Sequence, residues 1–395
     1  MDSIVIGAGM VGVSTALALQ ERGHNVVLVD RSEPGRETSY GNAGIIQTEA
    51  VQPYVIPLSI PRLARIALGN AHDVAWKPTT MHHWLSPLAR YFWSSLPANY
   101  GKIVPHYAKM ILRAADDHAP LIAASGADEI IDKSGFIQAY RTAKGFDGAH
   151  ADARGTLADY GVPFTALTGA ELAKLEPSLR VTMEGAIHYN AVWSCKSPGE
   201  LVKRYAALFI ARGGQIETAT ATSLTQSGAS WTLATDKGSF SAQNAVVALG
   251  PWAPHFLKPL GYRVGMIYKR GYHQHFETET APSRPVMDVD NSTVLSPMKA
   301  GLRVLTGAEL NSVEGEPNYR QIKHSAKIAD ELFGIGAAVE DTPWRGARPC
   351  MPGMLPVVGK APKHEGLWFN FGHGHQGFTL GPTTGRLVAE AMRSE

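Results

Sequence analysis

The chain has 395 residues, 44% hydrophobic and 18% charged, with a formal net charge of +2. That length supplies cores for two or three domains, or for two interleaved ones, and the absence of a long basic block argues against nucleic acid as a partner. Cys195 and Cys350 are the only cysteines, so there is no disulfide framework and no CxxC metal motif, and no apolar run approaches the roughly 18 residues of a spanning helix.

Residues 4–6 (IVI) read as a strand, which leaves no room before it for a cleavable signal. GAGMVG follows, then an apolar-periodic helix ending at Arg22-Gly23, then a strand closing on Asp30: one βαβ unit. Gly7 permits the tight turn, Gly9 lets a pyrophosphate approach the backbone, and Gly12 lets the helix pack on the strand. Met10 and Val11 lie between them at a helix start whose N–H groups and dipole favour phosphate. Asp30 stands where a carboxylate can accept both hydroxyls of an adenosine ribose. The bland reading is a glycine-rich turn in an ordinary α/β domain. The pattern alone does not separate NAD from FAD.

A small, polar, glycine-rich loop comes next, with Thr38, Ser39, Asn42, Ala43 and Gly44 placed to lie along the rest of a cofactor. From about Trp84 to Ser125 the pattern predicts two or three helices. The aromatic and basic mixture around His82 to Trp93 reads first as core packing and second as a membrane-interface face. HHW at 82–84 has no second ligand pair, so no metal site is expected. Further on, SGFIQAY predicts a strand, and FDGAHADARGTLADYG a helix closed by Gly161. Thr168 and Glu171 form a capping-box signature. SPGELVKRYAALFIARGG predicts an amphipathic helix, and QIETATATSL and the run ending at Gly250-Pro251-Trp252 predict strands. Residues 262–310 predict an antiparallel sheet, and Gln321 to Phe333 a helix. LWFNF predicts a short buried strand before a glycine-rich loop, with a last helix beginning near Pro382-Thr383.

Five segments together resemble the D-amino acid oxidase and dehydrogenase superfamily of flavoproteins: GAGMVG with Asp30, ETSYGNAG, AVVALGPW, KRGYH, and GARPCMPGMLPVVG with FNFGHGHQGFTLGP. They span nearly the whole chain, and the likeness is closest to the D-amino acid dehydrogenase branch. The chain departs from the family pattern in two places. RPCMPGMLP lacks the usual acid after RP, and the glycine loop carries His373, His375 and Gln376. Both lie near the expected substrate pocket.

The resemblance implies an α/β fold in which an FAD-binding Rossmann-like domain (residues 1–45, 190–255 and 340–395) interleaves with an α+β substrate domain (46–189 and 256–339) containing an antiparallel sheet. It implies non-covalent FAD, since Cys350 falls beside Arg348 and away from the cysteine that some relatives use for attachment. Gly7, Gly9, Met10, Val11, Gly12 and Asp30 would hold ADP, with Arg31 beside the adenine or pyrophosphate. Thr38, Ser39, Asn42, Ala43 and Gly44 would line the ribityl chain and flavin, and the Ala221 backbone would meet the adenine. Ala248, Gly250 and Trp252 would return under the cofactor, and Gly374, Gly377, Phe378 and Thr379 would wrap the flavin pyrimidine. Arg348, in the GARP context, would anchor a substrate carboxylate through its planar fork; a structural salt bridge is the plain alternative. Tyr272 would add a hydroxyl contact, against a packed strand tyrosine, and His375 would face the flavin or the substrate amine, against a histidine in an ordinary polar loop.

The implied reaction is oxidation of a small or cyclic D-amino acid, with electrons passed to a quinone or other carrier. The alternatives are an oxygen-using glycine- or sarcosine-type oxidase and a non-catalytic flavin-binding assembly protein. The expected location is the cytoplasm, with peripheral contact to the membrane left open.

Overall fold

The computed structural model describes residues 2–56, 59–69 and 73–393. A six-stranded sheet runs in the order Gln215–Thr218, Val26–Asp30, Ser3–Ile6, Asn244–Val247, Leu367–Phe371, Val357–Lys360. Every pair is parallel except the last. Ser3–Ile6 and Leu367–Phe371 are buried along their whole length, which is why they read as near-continuous apolar runs, interrupted only by Ser3 and Asn370, rather than alternating ones. Helix Met10–Glu21 follows the first strand, and Gly7 turns the chain between them at φ 110°.

Helix Gly377–Arg393 crosses Met10–Glu21 at backbone contact. A Cβ at Gly381 would lie 2.6 Å from Met10 Cγ, and one at Gly385 would lie 2.8 Å from the Ser14 carbonyl carbon. Gly377, Gly381 and Gly385 recur every four residues, so one face of the helix has no side chains. The two helices therefore start side by side, above the carboxyl ends of the parallel strands. The last helix begins at Gly377, earlier than its Pro382 suggested. Proline is a start signal because it lacks an N–H, but inside a helix it leaves the carbonyl four residues back unbonded. Here that carbonyl belongs to Phe378, and His118 Nε2 bonds it at 3.1 Å.

The second, ten-stranded sheet carries the strands expected in 262–310. Its order is Val74–Trp76, Ala308–Leu310, Ile267–Phe276, Gly301–Leu305, Thr293–Met298, Val286–Asp288, Phe136–Tyr140, Gly185–Tyr189, Thr165–Thr168. Trp344–Cys350 adds to it by antiparallel pairing with Ile267–Phe276, placing Gly346 opposite Gly271 and Trp344 opposite His273. Two segments thus cross the division expected from sequence. Residues 344–350 hydrogen-bond into the large sheet, and Ala114 and Ile122 of helix Ala114–Ala124 pack in the core around the parallel sheet. Helices Ala143–Tyr160, Pro198–Ala211 and Arg320–Phe333 lie where the periodicity put them. Gly161 closes the first in the left-handed region, and Thr168 and Glu171 complete both bonds of the capping box.

Candidate active site

A cavity of about 650 Å³ opens between the carboxyl ends of the parallel strands and the large sheet, the usual ligand position in such folds. Gly7, Gly9, Met10 and Val11 form one wall. Gly9 caps the helix with no side chain, which leaves first-turn N–H groups for an anion. Ser39 Oγ accepts from Met10 N at 2.9 Å, tying the following loop to that turn. Asp30 borders the cavity and also braces the glycine loop. Its Oδ2 accepts from Ala8 N at 2.6 Å and its Oδ1 from Ser32 N at 2.9 Å. Arg31 stacks its guanidinium 4.4 Å from the Trp252 ring centre and pairs with Glu37 at 2.8 Å.

Thr38, Ser39, Asn42, Ala221, Ala248, Gly250 and Trp252 also border the cavity, as do Gly374, Gly377 and Phe378 at its other end. Four of the expected cofactor residues stand behind the wall. A Cβ on Gly12 would sit 1.7 Å from Gly7 O, so that glycine permits the strand–helix contact. Ala43 packs with Ile45, Phe136 and Val192. Gly44, at φ 70°, donates to Asn42 Oδ1 at 2.8 Å and lies against the Cys195 carbonyl. Thr379 Oγ1 accepts from Gln47 N at 3.2 Å.

The far end of the cavity holds Arg348, half-buried. Its Nη1 donates to Gly307 O at 2.9 Å and its Nη2 to Thr306 O at 3.4 Å. Among the described residues no carboxylate forms an ion pair with it. Burial pulls its pKa below the usual arginine value, while Cys350 and Tyr54 oppose that shift. Against the arginine's guanidinium lies Gly271, where any Cβ would come within 2.6 Å of Nη2. His375 borders the cavity with its ring 4.9 Å from Tyr54, and burial holds its pKa well below normal, leaving a neutral imidazole.

Tyr272 does not offer the free hydroxyl expected of it. The residue borders the cavity, but its oxygen donates to Glu309 Oε2 and accepts from Asn318 N at 3.0 Å and Arg270 Nη2 at 3.1 Å. Arg270 and Glu309 are fully buried and paired at 2.7 Å, so the hydroxyl completes a satisfied polar network. Arg270 also grips the Gly315 and Glu316 carbonyls, holding the 312–314 loop at the cavity.

Sequence reasoning missed Trp344 and Asn370, both of which border the cavity. The signal for Asn370 was present: a polar residue in the otherwise apolar LWFNF requires a partner. Its Nδ2 has one in Thr15 Oγ1 at 2.9 Å, but its Oδ1 has none. Trp344 fills the space that glycine leaves at 41 and 346, and nothing local announces such a pairing.

This combination of a glycine-turn βαβ unit, a cavity at the strand ends and a roof of antiparallel sheet defines a dinucleotide-dependent oxidoreductase. The chain matches the family described as FAD dependent oxidoreductase over residues 2–391, and it belongs to that family. It is 30% identical over 401 residues to a D-amino-acid oxidase of Bradyrhizobium diazoefficiens, covering 98% of this chain and 94% of that one. It is 29% identical to a D-amino acid dehydrogenase of Xylella fastidiosa, covering 99% and 92%. Glycine oxidase from Geobacillus kaustophilus shares the fold, with a TM-score of 0.74 at 20% identity over 100% of this chain and 95% of that one.

FAD is therefore the cofactor, and the cavity suits it. Trp252 Nε1 and Asn370 Oδ1 are buried at its wall without a protein partner, and a dinucleotide offers the donors and acceptors that such atoms require. Among the described residues no cluster of three or more His, Cys, Asp or Glu is arranged for a metal, and no helix is long and apolar enough to cross a membrane.

Proposed function

We propose that this enzyme oxidatively deaminates a small apolar or cyclic D-amino acid, with electrons leaving to a quinone or other carrier. Arg348 carries the reading. It is a cation at the substrate end of the cavity with no ion-pair partner among the described residues, and only Nη1 and Nη2 are tethered, to two carbonyls. A guanidinium has five N–H donors, so enough of the fork is left for a carboxylate. Non-covalently bound FAD supplies a hydride acceptor at N5. The protein's part is orientation: Arg348 fixes the carboxylate, and neutral His375 and Tyr272 shape the space beside it. The relatives named D-amino acid dehydrogenase and D-amino-acid oxidase support the substrate class.

The B. diazoefficiens relative also favours a second reading, in which oxygen is the acceptor. A screen of D- and L-amino acids, glycine and sarcosine with a dye acceptor, run with and without oxygen, separates the two. Dye reduction by D-amino acids without peroxide supports the dehydrogenase. Stoichiometric peroxide establishes the oxidase, and turnover of L-amino acids alone would refute the stereochemical assignment.

The acceptor proposal extends to the surface. Of the eleven exposed large apolar side chains among the described residues, seven fall in residues 54–93: Tyr54, Val55, Ile60, Leu68, Leu85, Phe92 and Trp93. Helix Ile60–Ala67 in that stretch buries no residue and carries Arg65, with Arg62 paired to Asp73 at 2.8 Å, on the side opposite Ile60, Leu63 and Ala67. An amphipathic helix of this kind suits an anionic lipid surface, where a lipid-soluble acceptor resides.

A further inference from the structure

Arg303 lies in strand Gly301–Leu305, at the centre of the large sheet, and is 3% exposed. A buried cation ordinarily requires a carboxylate, yet among the described residues none forms an ion pair with it. Nη1 donates to Tyr40 O at 2.8 Å and Asn42 O at 2.5 Å. Nε donates to His275 Nε2 at 3.0 Å. Since a guanidinium only donates, that imidazole nitrogen must accept, and the ring proton is on Nδ1. Nδ1 faces Glu340 Oε1 in a short hydrogen bond, and Glu340 Oε2 accepts from His275 N at 2.9 Å. The Glu340 carboxylate thus reaches the buried cation through a neutral imidazole. Burial and the facing Arg303 charge both hold the His275 pKa below normal, which keeps the ring in its accepting form.

The two gripped carbonyls belong to the loop after the second parallel strand, and Thr38, Ser39, Gly41 and Asn42 of that loop border the cavity. The cavity's two walls come from different sheets, and Arg303 ties one to the other. We propose that Arg303, oriented by His275 and Glu340, is a positioning residue that sets the 38–44 loop for FAD. This rests on the reading that the loop lies against the cofactor. A lysine cannot replace it, because one ammonium cannot address two carbonyls and an imidazole in that fixed geometry.

The test is titration of FAD into the apoprotein, followed by flavin fluorescence, for Arg303→Met, Arg303→Lys, Glu340→Gln and the double variant Arg303→Met/Glu340→Gln. Far-UV circular dichroism serves as the fold control. Arg303→Met should weaken FAD binding by about tenfold or more, with a shifted visible flavin spectrum, and Arg303→Lys should recover little. Glu340→Gln should weaken it by a smaller factor. The double variant should be no worse than Arg303→Met alone, since Glu340 acts only through the arginine. Wild-type affinity and spectrum in a folded Arg303→Met protein would overturn the proposal. If that variant does not fold, wild-type affinity in Glu340→Gln does the same. Thr38→Val, at the cavity wall, separates the two levels. If it weakens FAD binding while the Arg303 variants do not, the clamp is wrong; if neither matters, the loop is not at the cofactor.

Discussion

At the scale of single residues the assignments stand on what each polar atom already touches. Arg348 has donors to spare, whereas Tyr272 has none, because Glu309, Arg270 and the Asn318 amide use its hydroxyl fully. Removing a charge-assisted bidentate contact to a carboxylate costs roughly 2 to 5 kcal/mol, so Arg348→Ala should lower kcat/KM for the amino acid by about 30-fold or more. Arg348→Lys should recover part of that loss, and the flavin absorption of both variants should match wild type. Steady-state kinetics decides the matter, since wild-type efficiency in the alanine variant removes the carboxylate anchor. Tyr272→Phe should act differently. It removes one of the donors to the buried Glu309 Oε2, which Arg270 still holds, and leaves the Asn318 amide without its acceptor, so the expected change is a loss of thermal stability on the order of 1–3 kcal/mol. Calorimetry would detect it, and an unchanged Tm combined with a raised KM would restore a substrate role to the hydroxyl.

Among the elements, the start of the C-terminal helix depends on a histidine far away in sequence. His118 is fully buried, donates from Nε2 to the Phe378 carbonyl and takes Tyr205 Oη at Nδ1, 3.0 Å away. Burial is the largest cause of its pKa falling to about 4. The folded pKa therefore lies below the unfolded value, and between about 6.5 and 4 the unfolded chain binds the extra proton. The stability this group contributes is complete above pH 6.5 and is lost as pH falls toward 4. His118→Phe should lower Tm at pH 7.5 and flatten the fall in Tm between pH 7.5 and 4.5. A variant as pH-sensitive as wild type would show that other groups set the slope.

This contact also marks where legibility ends at the element scale. Strands, caps and the glycine turn could be read because their signals lie within a few residues. Thr168 with Glu171 and Gly161 after Tyr160 are such cases. Pro382 misled because its partner, His118, is 264 residues away, and no local pattern records that a freed carbonyl is satisfied. The same limit applies within the cavity. The glycine wall and Arg348 were visible as motifs, but Trp344 depends on a cross-sheet fit to Gly41, and Arg303 on carbonyls it meets only after folding.

For the molecule as a whole, the exposed apolar side chains in residues 54–93 yield a binding prediction. The protein should co-sediment with vesicles containing phosphatidylglycerol and much less with phosphatidylcholine alone, and binding should fall with added salt. Ile60→Glu with Leu68→Glu should abolish sedimentation without changing turnover of a soluble dye. Equal recovery from both vesicle types, or from neither, counts against an anionic lipid surface.

The crossing of helices Met10–Glu21 and Gly377–Arg393 bears on synthesis. Thr15 bonds Asn370 across 355 residues, and Leu367–Phe371 pairs with Asn244–Val247 beside the first strand. During translation the glycine turn emerges about 355 residues before Asn370, which stands on the facing wall of its pocket. At roughly 5 to 20 residues per second, the nascent chain spends on the order of tens of seconds with that unit unpaired. Flavin supply at the moment the C-terminal helix docks should therefore govern the yield of active enzyme, and cells starved of riboflavin should accumulate chains that chaperones hold and proteases clear.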